Sequence, residues 1–438
     1  MKHKPKSIIL TTLVMGGLLI CSEAAVSDIG IGGYFKSFSV VLDPTEPSSI
    51  PESFKLPPLG MVSNRVRLDI SARLSSRLSF KLAYDLSPKI QDPFFFGQSS
   101  VAPVGSDHSD DLMRLVDFEA LPYRVTDLDE MIYPSDDSLA GSFAVYQNLD
   151  RAQVTLKSDI ADFYIGRQAI AWGNARVVNP TDILAPYAFN ELDVEDRGGI
   201  DAFRVRIPVG LMSEIDGGIA FGDELAIEQS AIFLRSKFRW GGHDFSFLMI
   251  DFRQNLLAGF DLARSLGGAG VWLEAAQVFV DAFEPNDTSG GSNYLRVSLG
   301  ADYFLRNGTY LFAEYHFNQA GADQASEYID RQDQTAYREG NVYLLGRHYL
   351  APGISYPITP LLSATGEALV NLTDPSLFFM ARFEYNMAED IFIETGVFIG
   401  LGDRMTLNLS QPGRRPVQMA SEFGSYPDMF YGAFRAYF

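Results

Sequence analysis

Polar and apolar residues alternate one by one along much of the chain. The clearest run is 64–74, where Arg65, Arg67, Asp69, Ser71 and Arg73 fall on one side and Val66, Leu68, Ile70, Ala72 and Leu74 on the other. After Ser75 and Ser76 the pattern resumes through Arg77, Leu78, Ser79, Phe80, Lys81 and Leu82. Residues 294–304 repeat it, with Tyr294, Arg296, Ser298, Gly300 and Asp302 opposite Leu295, Val297, Leu299, Ala301 and Tyr303. Successive side chains of a strand point to opposite faces, so these segments predict strands with one polar and one apolar face. A charge at every second position is costly in the dry core of a sandwich but acceptable beside water. The pattern predicts an all-β fold: a single transmembrane, antiparallel, up-and-down β-barrel with its polar residues inward and its apolar residues toward lipid.

The connections alternate in length. Short ones fall near 75–76, 158–160, 211–213, 240–242, 266–269, 306–308, 357–360 and 388–390. Several carry turn chemistry: Gly241-Gly242, Gly267-Gly268, Asn307-Gly308, and the prolines Pro357 and Pro360. Longer or more polar ones lie near 43–61, 87–141, 169–199, 223–227, 252–254, 282–291, 319–341, 371–376 and 403–429. Eight short turns and nine longer loops join about eighteen strands, within a range of 16–18. An even number places both termini on the periplasmic side, with short periplasmic turns and long extracellular loops. The stretch 243–264 fits least well, because the connection at 252–254 is short for an outer loop.

The first residues read differently. Lys2, His3, Lys4 and Lys6 precede an apolar run from Ile8 to Ile20 and the small-residue site Ser22-Glu23-Ala24. This is the pattern of a secretory signal peptide, residues 1–24, cut after Ala24 to leave 25–438 as the barrel. The run is short of the roughly 20 residues a helical anchor needs. Cys21 follows Ile20, where lipidation requires a small residue, and it is the one cysteine of the chain. Cleavage then leaves a mature protein without disulfides or thiolate metal sites. Beyond Ala25 no stretch of 18 apolar residues offers a helical span. Aromatics make up 13% of the chain, with 33 Phe and 20 Tyr, which suits the interfacial girdles of a barrel. The last strand ends on Phe438, like the carboxy-terminal signal read by the barrel-insertion machinery.

The segment Gly166-Arg167-Gln168-Ala169-Ile170-Ala171-Trp172-Gly173, followed by Asn179-Pro180-Thr181-Asp182, resembles a motif of porin-like outer-membrane proteins. That group includes large uncharacterised families and barrels of the alginate-export type. Gly267-Gly268-Ala269-Gly270 and Gly300-Ala301-Asp302-Tyr303 resemble it too. The resemblance implies a barrel located in the bacterial outer membrane and leaves the transported substance open. An exporter of polyanionic polysaccharide would carry an arginine-rich constriction, which the sequence alone does not display.

Inward positions segregate by charge. The amino-terminal half offers a basic wall of Arg65, Arg67, Lys81, Arg151, Arg204, Arg206, Arg235 and Lys237. The carboxy-terminal half offers an acidic wall of Asp261, Glu274, Asp302, Glu314, Glu367, Glu384 and Glu394. Halves of a closed barrel face each other, so a transverse field is expected, unless the residues pair strand to strand and merely solvate the inner surface. The connection 169–199 holds Trp172, Pro180, Pro186, Tyr187 and Phe189, too much rigid apolar material for a solvated loop. Folded inward, it would form a constriction with Asn174, Arg176, Asn179 or Asp182 at the narrowest point. The competing plug, 87–141, carries eleven acidic residues against three basic ones and reads more simply as a solvated outer loop.

Chemistry of other classes is missing. There is no glycine-rich phosphate loop, no paired metal histidines and no nucleophile motif, so no enzyme, cofactor or nucleic-acid partner is expected. His316 lies beside Glu314 on one inner face, without a serine partner evident in the sequence. The reading is a porin-like channel for passive diffusion of ions and small hydrophilic solutes. Its surroundings would be outer-membrane lipid and lipopolysaccharide, with an oligomer or assembly partner left open. The alternative is the barrel of an export or electron-transfer assembly, a sheath for a partner.

Overall fold

A strand whose next neighbour is two to five residues away pairs with it as a hairpin, and repetition of that step builds a meander. The computed structural model describes residues 28–45, 57–93, 123–125, 130–135, 141–187, 189–283, 291–407 and 417–438. Within them a meander of eighteen antiparallel strands closes on itself. The strands are β1 (Asp28–Asp43), β2 (Leu59–Arg73), β3 (Leu78–Gln91), β4 (Phe143–Lys157), β5 (Asp162–Gln168) and β6 (Ile200–Val209). There follow β7 (Ser213–Ala220), β8 (Ala231–Trp240), β9 (His243–Phe252), β10 (Asn255–Leu266), β11 (Ala269–Phe279) and β12 (Tyr294–Phe304). The last are β13 (Tyr310–Asn318), β14 (His348–Thr359), β15 (Leu362–Asn371), β16 (Ser376–Ala388), β17 (Ile391–Leu401) and β18 (Asp428–Tyr437). Closure runs from Tyr34 opposite Tyr437 to Asp43 opposite Asp428. Phe438 completes it, its amide donating to Gly33 O at 3.0 Å and its carbonyl accepting from Gly33 N at 2.9 Å. Residues 1–24, for which the sequence predicts a signal peptide, lie outside the described residues, as does most of the acidic connection 87–141.

The outer face explains itself as a lipid contact. Val66, Leu68, Ile165, Phe203, Leu234, Phe247, Leu299, Ile354, Phe383 and Phe430 are all exposed, around the whole circumference. A water-soluble chain rarely shows so continuous an apolar surface.

The inner face is polar only in part. Three outer segments, 169–199, 319–347 and 402–427, contribute apolar side chains to cores shared with the inner wall. Ile170, Trp172, Ile183 and Leu184 join Phe233, Leu248, Ile250 and Leu257. This is why 243–264 alternates poorly: β9 turns Leu248, Ile250 and Phe252 to the loop and Phe247 and Met249 to lipid, so both faces are apolar. Its outer connection is short because Arg253 and Gln254 form a two-residue hairpin, with φ of 46° and 71°.

Wall height is uneven. The strands β1 and β2 have 16 and 15 residues, whereas β5 and β7 have 7 and 8. Above the short sector, residues 130–133 pair with the upper end of β4, Met131 opposite Tyr146. Val125 N donates to Asp201 at 2.7 Å, which ties a second piece of the same connection to the rim.

Candidate functional site

The segment 169–199 leaves β5, crosses the lumen and returns to β6. Gly173, with φ of 102°, sits so close to the far wall that an added Cβ would lie 2.7 Å from Glu274 Oε2. Trp172 packs on Phe233, ring centroids 4.9 Å apart. From there the backbone runs along the acidic wall with its amides turned outward. Glu274 on β11 accepts from the amides of Asn174 (2.9 Å), Ala175 (3.0 Å) and Thr181 (2.9 Å), and from the Thr181 hydroxyl (2.7 Å). Glu314 on β13 accepts from the amides of Arg176 (2.6 Å), Val177 (3.2 Å) and Val178 (2.9 Å), and from Trp272 Nε1 (2.9 Å). Both carboxylates are buried. Their burial is tolerable because every oxygen is filled by donors, which offsets the cost of taking a carboxyl out of water.

Neighbouring contacts lock the same stretch. Asn174 donates to Asp261, and Ser298 donates to Val178 O at 2.6 Å. Arg296 reaches Asn179 O at 3.3 Å. The Arg176 side chain leaves the wall, lies over the Trp272 ring at 5.5 Å and pairs with Asp302 at 3.0 Å. Asp302 is also held by Tyr310, at 2.9 Å.

The returning arm meets the opposite wall. Phe189 sits among Tyr343, Phe378, Phe423 and Tyr426, 5.1–5.9 Å from each ring. Asp193 and Glu195 then pair with Lys36 of β1 at 2.9 and 2.6 Å, and Asp196 accepts from Tyr34 at 2.9 Å. Lys36 is fully buried beneath them. Arg197 closes the loop on itself, bonding to Asp182 and to Ala185 O and lying over the Tyr187 ring at 4.2 Å. Burial pushes the Asp182 carboxyl up to about 6, against the opposing pull of Arg197.

The basic wall brings its own counter-charges. Arg65 pairs with Asp85 at 2.5 Å. Arg67 meets Asp150 at 2.7 Å, Asp69 at 3.0 Å and Asp85 at 3.4 Å. Arg151 also pairs with Asp150, at 2.7 Å. Arg204 pairs with Asp216 at 2.5 Å and Arg206 with Glu214. Arg235 donates to Ser246 at 2.7 Å and comes within 4.0 Å of Asp261. Among the described residues Lys81 and Lys237 make no ion pair. On the other side Glu394 and Glu384 converge on Arg435 of β18, while Glu367 lies in the field of Arg382. Beside Asp196 of the returning arm, a cavity of about 490 Å³ is lined by Arg67, Asp69, Ser71 and Lys81 together with Ile31 and Ile70.

His316 does have a serine neighbour, Ser298 Oγ at 2.8 Å from Nδ1. The Ser298 hydroxyl already donates to the Val178 carbonyl, which leaves Nδ1–H to donate to Ser298. That is the reverse of the arrangement a nucleophile needs, and both side chains are shielded from water. The pair serves to hold the loop.

Sequence reasoning passed over Tyr34, Lys36, Asp85, Asp150, Asp193, Glu195, Asp196, Arg197 and Asp216. Tyr34 and Lys36 stand two apart in β1, on the buried face of 34, 36, 38 and 40, so alternation carried a signal for them. For Asp193, Glu195 and Asp196 there was none, because a loop carboxylate looks the same whether solvated or paired.

No known protein-family profile matches the sequence, and no curated protein is similar to it. Solved structures resemble the fold. OccK8 (OprE) of Pseudomonas aeruginosa has a TM-score of 0.55 over 94% of this chain and 98% of its own, at 8% identity. OccAB4 of Acinetobacter baumannii has a TM-score of 0.53 over 95% of this chain and 100% of its own, at 7% identity. OccK2 (OpdF) of Pseudomonas aeruginosa, solved with glucuronate, has a TM-score of 0.52 over 95% of this chain and 99% of its own, at 9% identity. At such identity the likeness is one of fold: the chain is an antiparallel β-barrel of the same architecture as these proteins.

Proposed function

We propose that the chain is a porin-like channel of the bacterial outer membrane, through which ions and small hydrophilic solutes diffuse passively past an inward-folded loop. The observation that carries this reading is the 169–199 segment, pinned to both walls inside a barrel with an apolar outer face. A pinned loop narrows the passage to a fixed shape, which a filled structural barrel has no need of. The cavity beneath the loop, lined by Arg67, Asp69, Lys81 and Asp196 as well as by Ile31 and Ile70, supports the passage of solutes that carry charged or hydroxyl groups. Two barrels of this fold were solved with small carboxylates, OccK2 with glucuronate and OpdK with vanillate. The fold and its lipid-facing belt support an outer-membrane setting, with lipopolysaccharide around the outer rim. Secretion through residues 1–24 and insertion through Phe438 belong to the same proposal. So does a transverse field, in altered form: the charges act first on the loop and only then on solutes.

An export barrel is the second reading, and it rests on the motif at 166–173 and 179–182. Those residues have a local occupation here: Gly173 and Thr181 contact Glu274, Trp172 packs on Phe233, and Asp182 holds Arg197. Loop anchoring accounts for the motif without an exported polymer. The deciding measurement is the conductance of the refolded chain 25–438 in a planar bilayer under a salt gradient. Stable steps with a defined reversal potential are expected. Folded protein that never conducts would overturn the channel.

A further inference from the structure

Three outer segments meet at one buried pair of carboxylates. Glu422 follows β17, Asp374 lies between β15 and β16, and both are shielded from water. Asn371 gives its side-chain amide to both, at 2.7 Å to Glu422 Oε2 and 3.1 Å to Asp374 Oδ2. The Glu422 amide donates to Asp374 Oδ2 at 3.0 Å. Around them the donors come from different segments. Leu345 N reaches Glu422 Oε1 at 2.9 Å, and Tyr349 OH donates to Glu422. Tyr328 OH reaches Asp374 Oδ2 at 2.6 Å, and Ser376 donates to Asp374. The 319–347 and 402–427 segments are thereby joined to each other and to the wall.

Every one of those donors is neutral. The titratable groups that face the pair are Tyr349 on β14, Tyr328 and Tyr337 in the 319–347 segment, and Tyr426 beside Glu422. Of the three arginines in the 319–347 segment, Arg331 pairs with Glu327 at 2.9 Å and Arg347 with Asp323 at 2.8 Å, and among the described residues neither they nor Arg338 form an ion pair with Glu422 or Asp374. Among the described residues no cation is paired with Glu422, and the neighbouring Asp374 carboxylate adds to the cost of a charge on Glu422 out of water.

We propose that Glu422, set against Asp374, forms a proton-operated latch over the channel mouth, closed while Glu422 holds a proton and loosened when it is lost. The inference rests on the channel reading for its functional consequence, while the latch itself is a property of the fold. Burial pushes the Glu422 carboxyl from 4.5 up to about 7, against the hydrogen bonds of Tyr349 and Leu345. An acid whose value is raised in the closed state stabilises that state fully below its ordinary value. The stabilisation is lost as pH rises through about 7. At tenfold per pH unit, closing weakens roughly a hundredfold between pH 5 and 8.

The test uses the refolded chain in lipid nanodiscs and follows amide hydrogen exchange at Leu345 and Glu422 from pH 5 to 8. Intrinsic exchange is divided out with ladder amides of β16 and β17, which bond to backbone carbonyls. The expected result is a roughly hundredfold loss of relative protection, paralleled in bilayers by a rise in open probability. Glu422→Gln keeps an acceptor for Leu345 and carries no charge, so it should stay protected at pH 8. Asp374→Asn removes the repelling neighbour and should flatten the profile at least tenfold. Flat protection in the parent chain, or an undiminished profile in both variants, overturns the latch. Exchange that follows the expected profile in a barrel silent at every pH upholds the latch and sinks the channel instead.

Discussion

The two arms of the crossing loop are held by opposite means. The outgoing arm offers neutral backbone amides to wall carboxylates, Glu274 and Glu314, that are fully enclosed. The returning arm offers its own carboxylates, Asp193 and Glu195, to the wall cation Lys36. In the first case one side chain organises three consecutive or nearby peptide units and fixes a backbone path. In the second, charge meets charge through flexible side chains, and Glu195 keeps 43% of its side chain in solvent. Amide anchoring dictates shape, while ion pairing dictates only proximity. The outgoing arm should therefore set the geometry of the narrow section, and the returning arm should be the side that yields.

That contrast can be broken most forcefully at Glu314. In Glu314→Ala three amides and the Trp272 indole lose their acceptor, at a cost of about 3–5 kcal/mol. The barrel is expected to close normally, with the loop freed and single-channel conductance larger and noisier. Unchanged conductance would show that the amide arm does not define the passage. Lys36→Ala comes next. Asp193 and Glu195 can turn to water, so a loss of about 1–2 kcal/mol is expected, seen as faster amide exchange at 193–196 while 174–178 stays protected. Equal loosening of both arms would erase the distinction. Smallest is Asp182→Asn. At pH 5, below the value of about 6 to which burial raises this carboxyl, the amide, still able to bond Arg197, should change thermal stability by less than about 1 kcal/mol. A loss several times larger would mean that the charge on Asp182 is what staples the loop.

Much of the wall could be read directly. Alternation through 64–74 and 294–304 marks β2 and β12 and the side each residue faces, because a pleated strand leaves no freedom in that choice. The inward fold of 169–199 was foreshadowed by Trp172, Pro180 and Phe189, groups that water does not stabilise. What each inner charge does was not legible. Glu274 and Asp302 look alike in a strand, yet Glu274 is enclosed by loop amides while Asp302 faces Arg176 at the lumen. The difference depends on which backbone arrives from a hundred residues away. Likewise β9 hid itself by being apolar on both faces, since one of them is covered by a loop that local pattern cannot foresee.

The short strands β5 and β7 carry a consequence for the surrounding lipid. With about 3.3 Å of rise per residue and a tilt near 40°, seven or eight residues reach only roughly 18–20 Å along the membrane normal, against an apolar band of about 25 Å. The bilayer must thin along that arc and relax to full thickness beside β1 to β4. The molecule is then a lopsided inclusion, and acyl chains pinched against one sector bear an elastic stress that falls when two such sectors meet.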